Sequence, residues 1–159
     1  MFVADQLAER IVALDYTQLP EPVVHWAKVS ILDTIGVALA GAGDDAPMLV
    51  RKALGSAGTG GATVLGTGEK LGAMDAAMVN GAAAHALDFD SSAASFAGHP
   101  SVHLLPAVFA LAEEHHLAGT DFIAAYVAGF ETQWALARLV NPSHAARGWF
   151  PTGTMGVFG

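Results

Sequence analysis

Asn80-Gly-Ala-Ala-Ala-His85-Ala-Leu-Asp88-Phe-Asp90-Ser-Ser92-Ala-Ala-Ser-Phe-Ala-Gly-His99-Pro-Ser101 is the stretch around which the rest of the chain is arranged. It holds His85, Asp88, Asp90, Ser91, Ser92 and His99, nearly all the site-grade chemistry of the first hundred residues. Apolar segments of helical period lie on both sides. Upstream, Ala73 to Leu87 is rich in Ala and Met and predicts a helix that packs closely through small side chains. Downstream, Pro100 opens a second helix running to about Glu114, with Pro as its first residue and His99 beside its cap. Carboxylates and imidazoles placed between two such segments predict a site at their junction.

The pattern continues outward. Val3, Leu7, Ile11 and Leu14 give a helical spacing over Phe2 to Leu14, broken by Tyr16 to Pro20. Val23 to Ala42 reads as a long helix with Val24, Ala27, Ile31, Ile35 and Leu39 along one face; it is apolar nearly all round, which predicts a central, buried helix. Asp45 is placed to cap a short helix from Ala46 to Leu54. Residues 55–61 are rich in Gly, Ser and Thr and read as a loop; Ala62 to Leu65 reads as a short extended piece before Gly66-Thr67-Gly68. That Gly-rich run lacks the Gly-Lys-Ser/Thr ending of a phosphate loop, which argues against a nucleotide site. After a turn at Ala118 to Asp121, Phe122, Tyr126, Phe130 and Trp134 recur every four residues down a helix ending near Val140, a stripe best read as core. Asn141 and Pro142 stop it, and residues 143–156 read as a loop into a further helix. With no strand series and no repeat, the fold class is all-α: one helical domain over residues 1–159. The chain stops at Gly159 as that last helix would begin, so the expectation is the truncated N-terminal part of a larger helical domain.

Composition narrows the function classes. Of the 159 residues 53% are hydrophobic and only 14% charged, with mean hydropathy +0.44. That is too apolar for disorder and predicts surface buried against a partner or a missing segment. The longest run without Asp, Glu, Lys or Arg, Ser91 to Ala112, contains two histidines, two prolines and several serines, a poor membrane span. The N-terminus has no basic region ahead of an apolar core and is not a secretory signal. The absence of cysteine excludes disulfides, thiolate metal sites and cysteine nucleophiles and fits a cytoplasmic protein. The net charge is −8 and the seven Lys and Arg are scattered, so nucleic acid is not an expected partner.

If the helix through His85 continues to Asp88, the two side chains share a face, with Phe89 turned into the core. A carboxylate partly buried beside apolar groups is suited to general acid or base work near neutral pH, and Asp88 is the candidate. Asp90, followed by two serines, reads equally as a cap and as a site carboxylate. His99, at a helix start with free N–H groups, is a candidate both for moving protons and for receiving an anion. His103, one turn on, faces either the site or the helix interface. His115 and His116 read as surface residues at a helix end. His85, Asp88, His99 and His103 have the residue types of a Zn or Fe site, but no His-Glu-x-x-His pattern occurs and the expectation is no metal. Arg147 is the candidate for binding a substrate carboxylate through a bidentate guanidinium.

Taken in order, 27–41 (Ala-Lys-Val-Ser-Ile-Leu-Asp-Thr-Ile-Gly-Val-Ala-Leu-Ala-Gly), 62–68 (Ala-Thr-Val-Leu-Gly-Thr-Gly), 80–90, His99-Pro-Ser, 125–131 (Ala-Tyr-Val-Ala-Gly-Phe-Glu) and 148–154 (Gly-Trp-Phe-Pro-Thr-Gly-Thr) resemble the N-terminal part of the MmgE/PrpD family. That family includes 2-methylcitrate dehydratases, cis-aconitate decarboxylases and related isomerases. The resemblance implies a large helical domain, a smaller α+β domain further along, a homodimer, and no obligatory metal or organic cofactor. It implies a site using Asp88, a hydroxyl residue at Ser92 where decarboxylases have Thr, and His99. The expected function is a dehydratase-type lyase acting on a small di- or tricarboxylate such as 2-methylcitrate. In it, His99 or Asp88 moves a proton next to a carboxylate, and Ser92 orients the substrate by hydrogen bonding. Decarboxylation, and isomerisation or epimerisation, are the family alternatives. Outside the family, an inactive fragment that only packs or dimerises and a helical metal-dependent hydrolase are the competing readings. The sequence departs from the family at Phe150, where a His often precedes Pro-Thr-Gly-Thr, and the family's later Lys and His site residues lie beyond Gly159.

Overall fold

Helix-period apolar runs cut by Pro, Gly and Asp set the element order. In the computed structural model, which describes residues 2–55 and 60–159, these are α1 Val3–Val12, α2 Glu21–Gly41, α3 Asp45–Ala53, a hairpin of β1 Ala62–Thr63 and β2 Lys70–Leu71, α4 Ala73–His85, α5 Ser101–Glu114, α6 Gly119–Val140, α7 Ser143–Ala146 and α8 Pro151–Met155. The class is all-α, with one antiparallel strand pair among the described residues. Residues 56–59 of the expected 55–61 loop lie outside those described.

α2 is the helix on which α4, α5 and α6 converge. Its buried residues, Ala27, Thr34, Val37, Ala38 and Gly41, are small or β-branched. Near its end the approach to α4 is so close that a Cβ on Gly41 would run into the carbonyl of Ala83. Ala38, Ala83, Ala84 and Val102 fill that junction. A second cluster joins α2, α5 and α6 through Ala27, Leu104, Leu105, Ile123, Tyr126 and Val127. There the Tyr126 hydroxyl hydrogen-bonds Ser101 Oγ at 2.7 Å, and burial pushes its phenol above the ordinary value. Each fully buried aliphatic or aromatic side chain in these clusters contributes about 1.5–3 kcal/mol of transfer free energy. The Phe122-to-Trp134 stripe is core: Tyr126 is buried, and Phe130 stacks on Trp134.

Several local expectations are corrected. α2 is not buried all round: Val23, Trp26, Val29, Leu32 and Leu39 are exposed, because its neighbours cover one side only. By length and composition alone α2 could cross a bilayer, yet its inner face is packed on the other helices. The cap of α3 is Asp44, whose carboxylate accepts from the Ala46 N–H at 3.2 Å, not Asp45. Pro100 is the cap of α5 rather than its first residue. The expected 143–156 loop contains the two short helices α7 and α8, and a 3-10 turn, Gly156–Phe158, follows.

Candidate active site

α4 ends at His85 rather than continuing to Asp88. Asp88 takes a left-handed conformation, φ 51°, which an Asp tolerates better than most residues, and the chain reverses there. His85 and Asp88 therefore do not share a helical face. Asp88 stands on the outside of the bend with its side chain 79% exposed, and Phe89 is exposed as well. The reversal turns Asp90 inward until its side chain is only 1% exposed. The burial expected for Asp88 falls on Asp90, and Asp90 caps no helix.

The return loop is anchored from α6 and α8. Phe96 is fully buried with Ala137 and Met155. Its carbonyl accepts from Asn141 Nδ2 at 3.0 Å. Gly98 lies so close to Thr152 that a Cβ would strike the threonine hydroxyl, so glycine is required there. The Thr152 hydroxyl accepts the backbone N–H of His99 at 2.9 Å. His99 is thereby fixed at the mouth of α5.

The result is a chain of ionisable groups. His85 Nδ1 lies 3.0 Å from Asp90 Oδ1, and His99 Nδ1 lies 3.0 Å from Asp90 Oδ2. His99 Nδ1 is also within 3.2 Å of the Asp90 backbone carbonyl. A carbonyl only accepts, and so does an ionised carboxylate, which fixes the Nδ1–H on both rings. The two rings approach to 4.9 Å between centroids. The second nitrogen of His99, Nε2, is 3.8 Å from Asp88 Oδ1. The structure thus brings Asp88 and His99 together and adds His85 and Asp90 to them.

Ser92 and Arg147 are exposed, and among the described residues neither makes a side-chain hydrogen bond or ion pair to this group. Phe150 stacks on His85 with 6.2 Å between ring centroids. His85 also lines a cleft of about 470 Å³ with Met78, Gly81, Val102, His103 and Thr152. Atoms of the kind that bind metals, from His85, Asp90 and His99, lie within 4.8 Å of one another. This trio, not the set including Asp88 and His103, is the one that could hold a Zn ion. In the arrangement seen, both Nδ1 atoms are directed at Asp90.

His103 faces the same cleft, and its buried Nδ1 has no hydrogen-bond partner. Its ring lies against Gly156, where a Cβ would collide with it. Burial first, and then the neighbouring His85, hold this imidazole below its ordinary 6.5. A depressed histidine is protonated more readily in the unfolded chain. Its contribution to stability is therefore complete above pH about 6.5 and is lost as pH falls through the lower folded value. Melting temperature is expected to drop on acidification across that window, and His103→Phe to flatten that part of the profile in thermal melts at stepped pH.

Thr152 escaped the sequence reading, and His85 and Asp90 entered it without a settled role. His85 and Asp90 sit five apart, with a helix end and a left-handed turn between them. Thr152 reaches His99 across 53 positions.

The model of the MmgE/PrpD N-terminal domain matches residues 5–159. Over 140 residues the chain is 34% identical to a cis-aconitate decarboxylase of Aspergillus terreus, covering 82% of this chain and 28% of that protein. It is 32% identical over 152 residues to the cis-aconitate decarboxylase of Mus musculus, covering 91% of this chain and 30% of that protein. It is 29% identical over 156 residues to the cis-aconitate decarboxylase-like protein oryM of Aspergillus oryzae, covering 92% of this chain and 32% of that protein. The chain spans about a third of the length of these curated relatives.

Proposed function

Because the chain belongs to the MmgE/PrpD family and is the N-terminal part of such a protein, we propose that the full-length protein is a lyase. It acts on a small di- or tricarboxylate by moving a proton next to a carboxylate. The observation that carries this reading is His99, held at Nδ1 by Asp90 and with Nε2 3.8 Å from Asp88. An imidazole fixed in one tautomer presents a basic Nε2 to substrate. In dehydration, Nε2 takes the proton from the carbon beside the carboxylate. The C–H electron pair becomes the new C=C bond, and the hydroxyl leaves with a proton from an acid as water. Asp88, exposed at the same point, is in reach of protons on His99. Ser92 hydrogen-bonds a carboxylate or the departing hydroxyl, and Arg147 pairs with a carboxylate. Donors aimed at the enediolate-like charge stabilise it as it develops. In this reading the protein is a cytoplasmic homodimer and needs no metal or organic cofactor.

A 2-methylcitrate-like hydroxy acid is the leading substrate class. Decarboxylation of cis-aconitate is the second reading, favoured by the names of the relatives. Phe150 argues against it, since an apolar ring that cannot carry a proton stands on His85 where the family often has a His. Full-length protein incubated separately with 2-methylcitrate and cis-aconitate decides the matter. Loss of water to a conjugated alkene from the first supports dehydration, and CO2 release from the second supports decarboxylation. Turnover of neither overturns this substrate assignment.

A further inference from the structure

We propose that Asp90 is a positioning residue shared by two imidazoles, so that His85 as well as His99 meets the substrate as a proton-carrying group. The catalytic half of this rests on the lyase reading above; the structural half does not.

A carboxylate with 1% of its side chain exposed needs donors or counter-charge to remain ionised. Among the described residues no Lys or Arg pairs with Asp90; its ion-pair partners are His85 and His99, each 3.0 Å away at Nδ1. At His85 the contact is a hydrogen bond to Oδ1; at His99 the hydrogen bond from Nδ1 goes to the Asp90 backbone carbonyl at 3.2 Å, and Oδ2 is a charge contact that accepts no hydrogen bond. Both rings spend the same nitrogen on Asp90, so both have Nε2 left to offer. For His85 this nitrogen is the only one available to an occupant of the cleft that it lines with Met78, Gly81, His103 and Thr152. His85 keeps 33% of its side chain exposed against 17% for His99, so it is the more accessible of the pair.

The equal distances have a chemical consequence. When one imidazole is neutral and the other charged, moving the charge from one ring to the other leaves the attraction to Asp90 almost unchanged. A dehydration starting with one ring as base and the other as acid ends with the roles exchanged. The base has gained the proton from carbon, the acid has given its proton to the leaving hydroxyl to make water, and the total charge on the pair is the same. One ring then returns its proton to solvent and the other takes one up. Asp90 keeps both rings in the correct tautomer in either state, through its carboxylate at His85 and its backbone carbonyl at His99.

The test uses the full-length protein labelled with [15N]histidine, with His85→Gln and His99→Gln spectra to assign the two rings. In the wild type both rings are expected to carry Nδ1–H whenever neutral. A neutral Nε2–H form at either ring overturns the shared role of Asp90, whatever the activity. In Asp90→Asn the backbone carbonyl still holds His99, so the His85 ring alone is expected to change tautomer, as the amide presents its NH2 to that ring. Turnover in that variant is expected to fall about 10²-fold or more, with KM changed much less. An unaltered His85 tautomer in Asp90→Asn also overturns the role. His85→Gln is expected to lose about 10²-fold in kcat, and kcat within about threefold of wild type would remove His85 from the chemistry. The double variant His85→Gln, Asp90→Asn is expected to lose much less than the product of the two single losses, because the groups act as a unit. If the wild type turns over none of the carboxylates offered, the substrate reading fails, while the spectra still decide whether Asp90 holds both rings.

Discussion

Replacing His99 with Gln in the full-length protein is expected to lower kcat/KM by about 10²–10⁴-fold while the circular dichroism spectrum and melting temperature change little. The expectation follows from where the ring is held. Its backbone N–H is donated to Thr152, its Nδ1 is spent on Asp90, and its Nε2 points towards Asp88. Three separate segments of chain, the 88–90 bend, α8 and the start of α5, converge on one imidazole. Gln keeps a polar side chain near Asp90 but cannot accept and release a proton near neutral pH. Asp88→Asn is expected to cost less, because its carboxylate is largely exposed and stands 3.8 Å from the ring. Measuring kcat/KM for both variants separates the roles. A His99→Gln enzyme as fast as wild type would remove His99 from the chemistry and with it the main support for a proton-moving site in this domain.

What was legible in the sequence is what depends on local period and local stops. The four-residue aromatic recurrence of α6, the small-residue packing of α4 and the Asn141-Pro142 stop all act over a turn or two, and each appears in the structure near its expected position. The partnership of Thr152 with His99 has no local signature, since it is made by the close passage of two distant segments at Gly98. Which of Asp88 and Asp90 is buried was misjudged for a related reason. Helical continuation would have buried Asp88 beside His85, whereas the left-handed bend at residue 88 exchanges which carboxylate faces inward. For α2, the inference from an all-round apolar surface to all-round burial assumed neighbours on every side. Here α4, α5 and α6 cover one face, and Trp26 stays 64% exposed.

Asn80→Ala is expected to destabilise the protein by about 2–5 kcal/mol without acting on the chemistry. Asn80 is completely buried on α4. Its Oδ1 accepts the N–H of Leu65 at 2.8 Å, and its Nδ2 donates to the carbonyl of Thr63 at 2.8 Å. The hairpin it serves pairs only Ala62 with Leu71 and Thr63 with Lys70. Two residues per strand cannot hold themselves together in water. The hairpin is fixed by this amide, by Glu113, which accepts from the Thr63 N–H and hydroxyl and pairs with Lys70 at 3.2 Å, by the Arg51–Glu69 pair, and by the burial of Ala62, Val64 and Leu71 against Ala76, Val79 and Ala110. Alanine at position 80 leaves one donor and one acceptor of the main chain without their partner, each costing about 1–3 kcal/mol where water cannot replace it. Asp at the same position is worse, for it meets the Thr63 carbonyl with a second acceptor and adds a buried charge. The check is urea unfolding: the midpoint should fall in the order wild type, Asn80→Ala, Asn80→Asp, with the slope for the first transition unchanged. Folded Asn80→Ala protein should keep the wild-type kcat, since no contact of Asn80 reaches His85, Asp90 or His99. A midpoint within experimental error of wild type would mean that Glu113, Arg51 and the apolar contacts hold the hairpin without this amide.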